Sequence, residues 1–160
     1  AHKQPWTFIA TQNSEIKRAI REAAEEEERT NYLENRMNAD WQQAIAPLGT
    51  DYHKEFLEIA PWIVVLFEQR YEITSDGSQR KNYYVKESVG IAAGLFIASL
   101  HRMGLSTLTH TPSPMKFLNQ ILERPANERP FCLFPIGYPL GDVKVPDIQR
   151  KELDEILHIL

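Results

Sequence analysis

The apolar run from Trp62 to Phe67 constrains the fold of this chain more than any other feature, because it contains no polar residue and has β-branched Ile63, Val64 and Val65 at its centre. β-branched side chains favour strands, and a continuously apolar strand is typical of one that is buried on both faces. Pro61 precedes the run, and a polar turn around Asp76 and Gly77 follows it. The run therefore predicts a central strand covered on both sides.

The rest of the chain alternates between strand patterns and helix patterns. Apolar residues recur at helical spacing after Ser14, which we expect to be the N-cap, and throughout the segment that ends at Gly104. In order, we expect a strand over 5–10, a helix over 15–28, the buried strand, a helix over 86–103, a helix opened by Ser113-Pro114 and reaching Leu122, a strand over 131–136, and an amphipathic tail with Leu153, Ile156, Leu157 and Leu160. This alternation predicts an α+β fold of the α/β type, with residues 1–160 in one domain.

Composition excludes several classes of protein. The 22 acidic and 18 basic residues are mixed along the chain and sum to a net charge of -4, so we expect no nucleic-acid partner. The most apolar stretch, Val89 to Leu100, is too short for a membrane-spanning helix. Because no export signal is recognisable either, we expect a soluble, cytoplasmic protein, and a membrane anchor on an upstream segment stays open. Cys132 lies within an apolar run and is expected to be a buried core thiol.

Three segments allow more than one interpretation. Residues 29–53, here called the lid segment, have no continuous apolar stripe, as is common in segments that close over a site. The acidic run from Glu25 to Glu28 is, taken alone, typical of a solvated helix end. Small residues such as Gly90 and Gly94 in the helix over 86–103 favour either tight packing within the subunit or a subunit interface.

General motif searches do not assign a function. Signatures for dinucleotide binding, phosphate loops, zinc proteases, serine hydrolases and paired cysteines are absent from the sequence. The five histidines, at positions 2, 53, 101, 110 and 158, are not spaced as a metal-binding pair, and we expect no metal site.

Several segments taken together resemble the iodotyrosine deiodinases, a branch of the nitroreductase-like FMN enzymes. They are Ala1-His2-Lys3-Gln4-Pro5-Trp6-Thr7-Phe8, Glu28 with Tyr32, Asn82-Tyr83-Tyr84 to Gly94-Leu95, Leu105 to Pro112, Gly137-Tyr138-Pro139, and Arg150-Lys151. The resemblance implies a nitroreductase-like fold with a mixed central sheet flanked by helices. It also implies an intertwined homodimer with FMN at the subunit interface.

The family pattern includes an arginine-rich segment and a Pro-Ser-Gly turn upstream of the Ala-His-x-x-Pro-Trp motif, whereas this chain begins at Ala1. The resemblance therefore implies that the N-terminal part of the domain is missing. Two rival functions stay open, namely a general FMN nitro or quinone reductase and a non-catalytic flavin-binding fragment.

The resemblance also assigns cofactor contacts to residues of this chain. Thr109 matches a threonine whose hydroxyl donates to the flavin N5, which favours single-electron steps, and it is the catalytic candidate. The backbone of His110 and the side chain of Thr111 match neighbouring flavin contacts, and Arg150 matches an arginine that contacts the FMN phosphate. Without the resemblance, the alternating threonines from Thr107 to Thr111 would be read as one face of a strand, and Arg150 as a surface residue.

The substrate implied by the resemblance is a halogenated tyrosine, whose amino acid end is a zwitterion. Glu28 is matched to the ammonium group, Lys54 and Tyr32 to the carboxylate, and the backbone N-H of Ala1 to the phenolate. Glu28 and Tyr32 are four residues apart and therefore share a helix face. The implied reaction is the reductive removal of iodide from mono- and diiodotyrosine, with electrons from an NAD(P)H-linked donor through FMN.

Overall fold

The computed structural model describes residues 2–34 and 36–160. The strands in this part of the chain are β1 Trp6–Thr11, β2 Trp62–Gln69, β3 Tyr71–Ile73, β4 Gln79–Lys81, β5 Ser106–Thr107 and β6 Glu128–Gly137. The helices are α1 Ser14–Leu33, α2 Ala39–Ile45, α3 Phe56–Ile59, α4 Val85–Arg102, α5 Phe117–Ile121 and α6 Leu153–Ile156, and a 3₁₀ turn covers Ala46–Leu48. None of these helices is long and apolar enough to cross a membrane.

The main sheet has the strand order β1-β2-β6-β5, and β3 and β4 form a separate hairpin. Every pairing of the main sheet in the described chain is antiparallel. The sheet that the resemblance implies to be mixed therefore shows only antiparallel pairs among the described strands. Hydrophobic patterning predicts that a strand exists, but strand direction depends on where the long connections return the chain, and the pattern does not contain that information.

The prediction that β2 is buried on both faces is confirmed, since every residue from Ile63 to Glu68 is buried. Alternate residues of β2 enter two separate cores. One core contains Ile63, Val65 and Phe67 with Ile20, Ala24, Leu57, Leu118 and Leu133. The other contains Val64 and Leu66 with Val89, Ala93, Leu100, Cys132, Phe134 and Ile136. Cys132 is thus a core thiol, as expected, and burial raises its pKa to about 11.

Helix α1 differs from the prediction at both ends. Its N-cap is Asn13, whose side-chain oxygen accepts from the N-H groups of Glu15 and Ile16, so the assignment of the cap to Ser14 is wrong. The helix continues past Glu28 to Leu33. The first residues of the lid segment are therefore helical, and Tyr32 lies one turn beyond Glu28 on the same helix.

Helix α4 is confirmed, and Gly104, which follows the C-cap residue Met103, has the positive φ of 74° that favours glycine after a helix. Its outer face carries Ile91 and Leu95, each 66% exposed. A Cβ atom built on Gly90 or Gly94 would meet no atom within 4 Å in this structure. Within the described residues, the small residues of this face are therefore not used for close packing inside the subunit.

Helix α5 begins later than predicted, at Phe117, and its N-cap is Lys116. Ser113-Pro114 is a cis peptide that precedes the helix by several residues, so the assignment of Ser113 as N-cap and Pro114 as first helical residue is wrong. The backbone oxygen of Ser113 instead accepts from the side chain of Asn31 at 2.9 Å. A residue that local turn chemistry assigns to a helix start thus makes a long-range contact instead.

Residues 138–160, here called the C-terminal arm, follow β6 and are exposed throughout. At the end of β6, Gly137 approaches Pro61 so closely that an added Cβ atom would lie 2.9 Å from the Pro61 Cδ, which excludes larger residues there. The amphipathic tail is reduced to the short helix α6, and its apolar side chains Leu153 and Ile156 are about two-thirds exposed, at 66% and 64%.

Candidate functional site

The predicted substrate residues Glu28, Tyr32 and Lys54, here called the substrate trio, lie together in the structure. Helix α1 supplies Glu28 and Tyr32 from the same face, and Lys54 comes from the loop before α3. The Lys54 ammonium lies 3.9 Å from the nearer Glu28 carboxylate oxygen and 5.9 Å from the centre of the Tyr32 ring. Lys54 and Glu28 are only 2% and 8% exposed. Glu28 and Lys54, which are 26 positions apart in the sequence, thus belong to one buried, charged cluster.

In this structure the Lys54 ammonium is held by its own loop. It donates to the hydroxyl of Thr50 at 3.1 Å and to the backbone oxygen of Asp51. The Tyr32 hydroxyl donates to the backbone oxygen of Thr50 at 3.3 Å. The end of the lid segment is therefore tied to the trio, and a ligand that binds these groups must compete with the loop for them.

Burial and pairing act in opposite directions on the charges of this cluster. Burial raises the pKa of Glu28, and the neighbouring Lys54 ammonium opposes that rise. Burial likewise lowers the pKa of Lys54, and the carboxylates of Glu28 and of nearby acids oppose that decrease. Burial also raises the pKa of Tyr32. Since a buried charge is costly without a partner, the two ions depend on each other or on a ligand with both charges.

His110, in the loop from Thr107 to Thr111, contacts both β6 and α3. Its backbone bridges to Leu133 of β6 at 2.9 and 3.0 Å, and its ring lies edge-on to Phe56 of α3 at 5.7 Å. The side chain is 8% exposed, and its Nε2 lacks a hydrogen-bond partner in the described structure. Burial, with a contribution from the Lys54 charge, lowers the pKa of His110 to about 4. Only the backbone of this residue was assigned a role from the sequence, and the alternation of exposed Thr109 and Thr111 around it is the signal that its side chain points inward.

This lowered pKa predicts a pH-dependent loss of stability. A histidine whose folded pKa lies below its unfolded value stabilises the fold above about 6.5, and that stability is lost as the pH falls toward about 4. The difference corresponds to about 3 kcal/mol of unfolding free energy. Urea unfolding at a series of pH values should show this slope, and His110→Asn should remove it. The same exchange at exposed His101 is the control and should leave the slope intact.

The predicted cofactor residues are only partly assembled. Thr109 and Thr111 are exposed beside the end of β5, as hydroxyl groups that meet a ligand must be, and Arg150 is exposed on the C-terminal arm. Among the described residues, Arg150 makes no hydrogen bond or ion pair with the threonine loop. Ala1 lies outside the described residues. Hydroxyl and guanidinium donors fit the polar edge and phosphate of a flavin mononucleotide, so the donor set suits that cofactor.

A group of possible metal ligands lies beside the trio. Single ligand atoms of Glu25, His53 and Glu55 lie within 4.8 Å of one another. Both carboxylate oxygens of Glu25 already accept hydrogen bonds, one from the Lys54 backbone N-H and one from Arg21. Since His53 and Glu55 are exposed and the Glu25 oxygens are already engaged, we assign no metal to this group.

Similarity to known proteins identifies the class of protein to which this chain belongs. The family model described as the nitroreductase family matches residues 1–138 of the chain. A crystal structure of oxidized iodotyrosine deiodinase bound to FMN and 3-iodo-L-tyrosine superposes with a TM-score of 0.79 at 26% identity, over 94% of this chain and 74% of that one. A BluB-like flavoprotein from Clostridium difficile shares the fold with a TM-score of 0.67 at 16% identity, over 99% of this chain and 80% of that one. The predicted nitroreductase-like fold is confirmed.

The sequence relatives are more specific. An iodotyrosine deiodinase of Haliscomenobacter hydrossis is 57% identical over 95% of this chain and 68% of its own length. Those of Danio rerio and Nematostella vectensis are 42% and 40% identical over 98% of this chain, which spans 53% and 60% of their lengths. The chain belongs to the iodotyrosine deiodinase branch of the nitroreductase family.

Proposed function

We propose that this chain is the larger part of an FMN-dependent reductive dehalogenase that removes iodide from mono- and diiodotyrosine. One structural observation carries the proposal, namely the buried pair of Glu28 and Lys54 beside Tyr32. A nitroreductase for small hydrophobic compounds has no need for two buried opposite charges, whereas an amino acid substrate offers a partner for each. The similar crystal structure contains 3-iodo-L-tyrosine and FMN.

The trio supports recognition of the zwitterion by exchange of partners. The Glu28 carboxylate would accept hydrogen bonds from the substrate ammonium. The Lys54 ammonium and the Tyr32 hydroxyl would donate to the substrate carboxylate in place of the Thr50 and Asp51 oxygens that they now contact. Release of these oxygens would change the end of the lid segment, so that substrate binding and lid closure are coupled. At the other end of the substrate, the backbone N-H of Ala1 is the proposed donor to the phenolate.

Bound FMN would supply the electrons for the reaction. Thr109 would direct its hydroxyl toward the flavin N5, and the backbone of His110 and the hydroxyl of Thr111 would provide neighbouring contacts. Arg150 would hold the phosphate with its planar, permanently charged guanidinium group. An NAD(P)H-linked donor or reductase would return electrons to the flavin.

A homodimer with the cofactor at its interface accounts for two exposed surfaces. The outer face of α4 presents Ile91 and Leu95 beside glycines that leave open space. The C-terminal arm presents further apolar side chains, including Val145 at 80% and Ile159 at 89% exposure. Exposed apolar area of this extent is typical of a surface that another chain covers. We therefore propose that two subunits pack along α4 and exchange their arms.

The function can be tested by anaerobic reduction of the FMN-loaded protein followed by addition of iodotyrosine. The two-electron reaction replaces iodine by hydrogen, so about one iodide per reduced FMN is expected, together with reoxidation of the flavin. Flavin that is reoxidised by a nitroaromatic compound but not by iodotyrosine would show a general nitroreductase. Protein that binds no FMN would show a chain without a catalytic role of its own.

The role of Thr109 gives a separate prediction. Thr109→Ala should bring the two successive one-electron reduction potentials of bound FMN closer together. The reason is that it removes the proposed hydrogen bond to the flavin N5, whose strength differs between the redox states of the flavin. Thr109→Ser is the matched control, since it keeps the hydroxyl, and it should behave as the parent protein does. The potentials are measured by anaerobic titration against a reference dye. If the parent and both variants have the same pair of potentials, Thr109 does not have this role.

A further inference from the structure

Glu25, three residues before Glu28 on α1, makes a contact that the proposed substrate site does not yet use. Its Oε1 accepts a hydrogen bond from the backbone N-H of Lys54 at 2.8 Å, across 29 residues of sequence. This carboxylate therefore binds the main chain of the residue whose side chain faces Glu28. In the acidic run from Glu25 to Glu28, the two end residues point to the same lysine.

The Glu25 carboxylate is itself fixed. Its Oε2 accepts from Arg21 at 3.1 Å, and Arg21 also pairs with Glu58 of α3 at 2.7 Å. At the far end of α3, Lys17 donates to the backbone oxygens of Glu58 and Ala60 at 2.9 and 2.8 Å. Helix α1 thus holds both the start and the end of the short segment that includes Lys54 and α3.

Lys54 needs such an anchor because it lies in a loop. Its backbone oxygen accepts from the Leu57 N-H at 2.9 Å. Its own N-H makes no hydrogen bond to a backbone oxygen in the described structure. A binding group must be held close to its productive position by the residues around it, and loop positions are less precise than helix positions. The hydrogen bond that Glu25 accepts from the Lys54 N-H ties this loop position to a 20-residue helix.

We infer that Glu25 is a positioning residue for substrate recognition, which sets the main chain at Lys54 so that the lysine and Glu28 can take the two charges of one zwitterion. This inference rests on the proposed function for its substrate. Glu25 itself touches neither substrate nor cofactor in this scheme. It acts through Lys54, and substrates without a zwitterion should not depend on it.

The test uses FMN-loaded protein with Glu25→Ala, Glu25→Gln and the control Glu26→Ala. Glu26 is the adjacent residue, and its exposed carboxylate pairs only with Arg29 in the described structure, so its exchange removes the same charge without touching the loop. We expect Glu25→Ala to raise the KM for iodotyrosine about tenfold, as for the loss of one hydrogen bond to a charged group, and to leave kcat within about twofold. Glu25→Gln keeps an acceptor oxygen and should stay within about threefold of the parent KM.

Two further measurements separate positioning from general damage. Affinity for 2-iodophenol, which lacks the amino acid end, should be unchanged in Glu25→Ala. Hydrogen exchange at the Lys54 amide, measured without substrate, should be faster in Glu25→Ala and unchanged in Glu26→Ala.

The inference is overturned by an unchanged KM, by an equal loss of 2-iodophenol and iodotyrosine binding, or by Glu25→Gln behaving as Glu25→Ala does. The last result would assign the effect to charge pairing with Arg21. If the parent protein released no iodide, the proposed function would fail instead. The amide exchange of Lys54 would still report whether Glu25 anchors the loop.

Discussion

Exchange of Lys54 for methionine is expected to raise the KM for iodotyrosine by about a hundredfold while FMN stays bound. The lysine is 2% exposed and lies 3.9 Å from Glu28, so its removal takes away the proposed partner of the substrate carboxylate and leaves a buried carboxylate without its cation. Steady-state iodide release gives the KM, and flavin fluorescence gives the FMN affinity. Lys116→Met, at an exposed position, is the control and should match the parent protein.

A second variant distinguishes binding from folding. In Lys54→Met the unpaired Glu28 should lower the free energy of unfolding, whereas the double variant Glu28→Gln with Lys54→Met removes both charges and should recover much of that stability. The double variant should nevertheless keep the high KM, because neither partner of the zwitterion is restored. Loss of FMN from Lys54→Met, or an iodotyrosine KM close to that of the parent, would contradict the assignment of the substrate trio.

Deletion of the C-terminal arm, residues 138–160, is expected to produce a monomer that binds FMN about a hundredfold more weakly, since buried interface area and a phosphate contact are lost together. The basis is the exposure of the C-terminal arm, which carries both the apolar side chains proposed for the interface and Arg150. Light scattering measures the mass, and absorbance near the flavin band measures bound FMN after gel filtration.

Arg150→Ala separates the two effects of the arm. It should weaken FMN binding without changing the mass, because the apolar side chains remain. A truncated chain that is still dimeric and yellow would show that the arm is needed for neither role. Arg150→Ala that binds FMN as tightly as the parent would remove the proposed phosphate contact alone.

The sequence was informative where one local pattern determines the structure. The run from Trp62 to Phe67 predicted the doubly buried strand, and helical spacing with Gly104 at the end predicted α4. It was less informative where distant residues decide. Asn13 rather than Ser14 caps α1, and Asn31 binds the backbone of Ser113, which local turn chemistry had assigned to a helix start. Strand direction in the sheet was not encoded in the pattern at all.

The same distinction applies to the candidate site. The spacing of Glu28 and Tyr32 predicts a shared helix face, which α1 provides. The placement of Lys54 beside them followed only from the family resemblance. The interaction of Glu25 with the Lys54 backbone was not predictable, because four consecutive glutamates give no indication of which carboxylate meets a main-chain N-H 29 residues away. The inward side chain of His110, by contrast, is indicated by its alternation with Thr109 and Thr111, although the resemblance assigned a role only to its backbone.

If the substrate trio binds the zwitterion as proposed, the buried pair of Glu28 and Lys54 also determines which compounds the site rejects. A compound with an amine but no carboxylate would pair with the Glu28 carboxylate and draw it away from Lys54. The Lys54 ammonium would then contact only its loop oxygens. A ring that carries a carboxylic acid alone would do the reverse to Glu28. Each such compound leaves one desolvated ion with less compensation than before binding. The proposed site would therefore discriminate between a whole amino acid and its decarboxylated or deaminated form through two oppositely charged side chains that lie 3.9 Å apart.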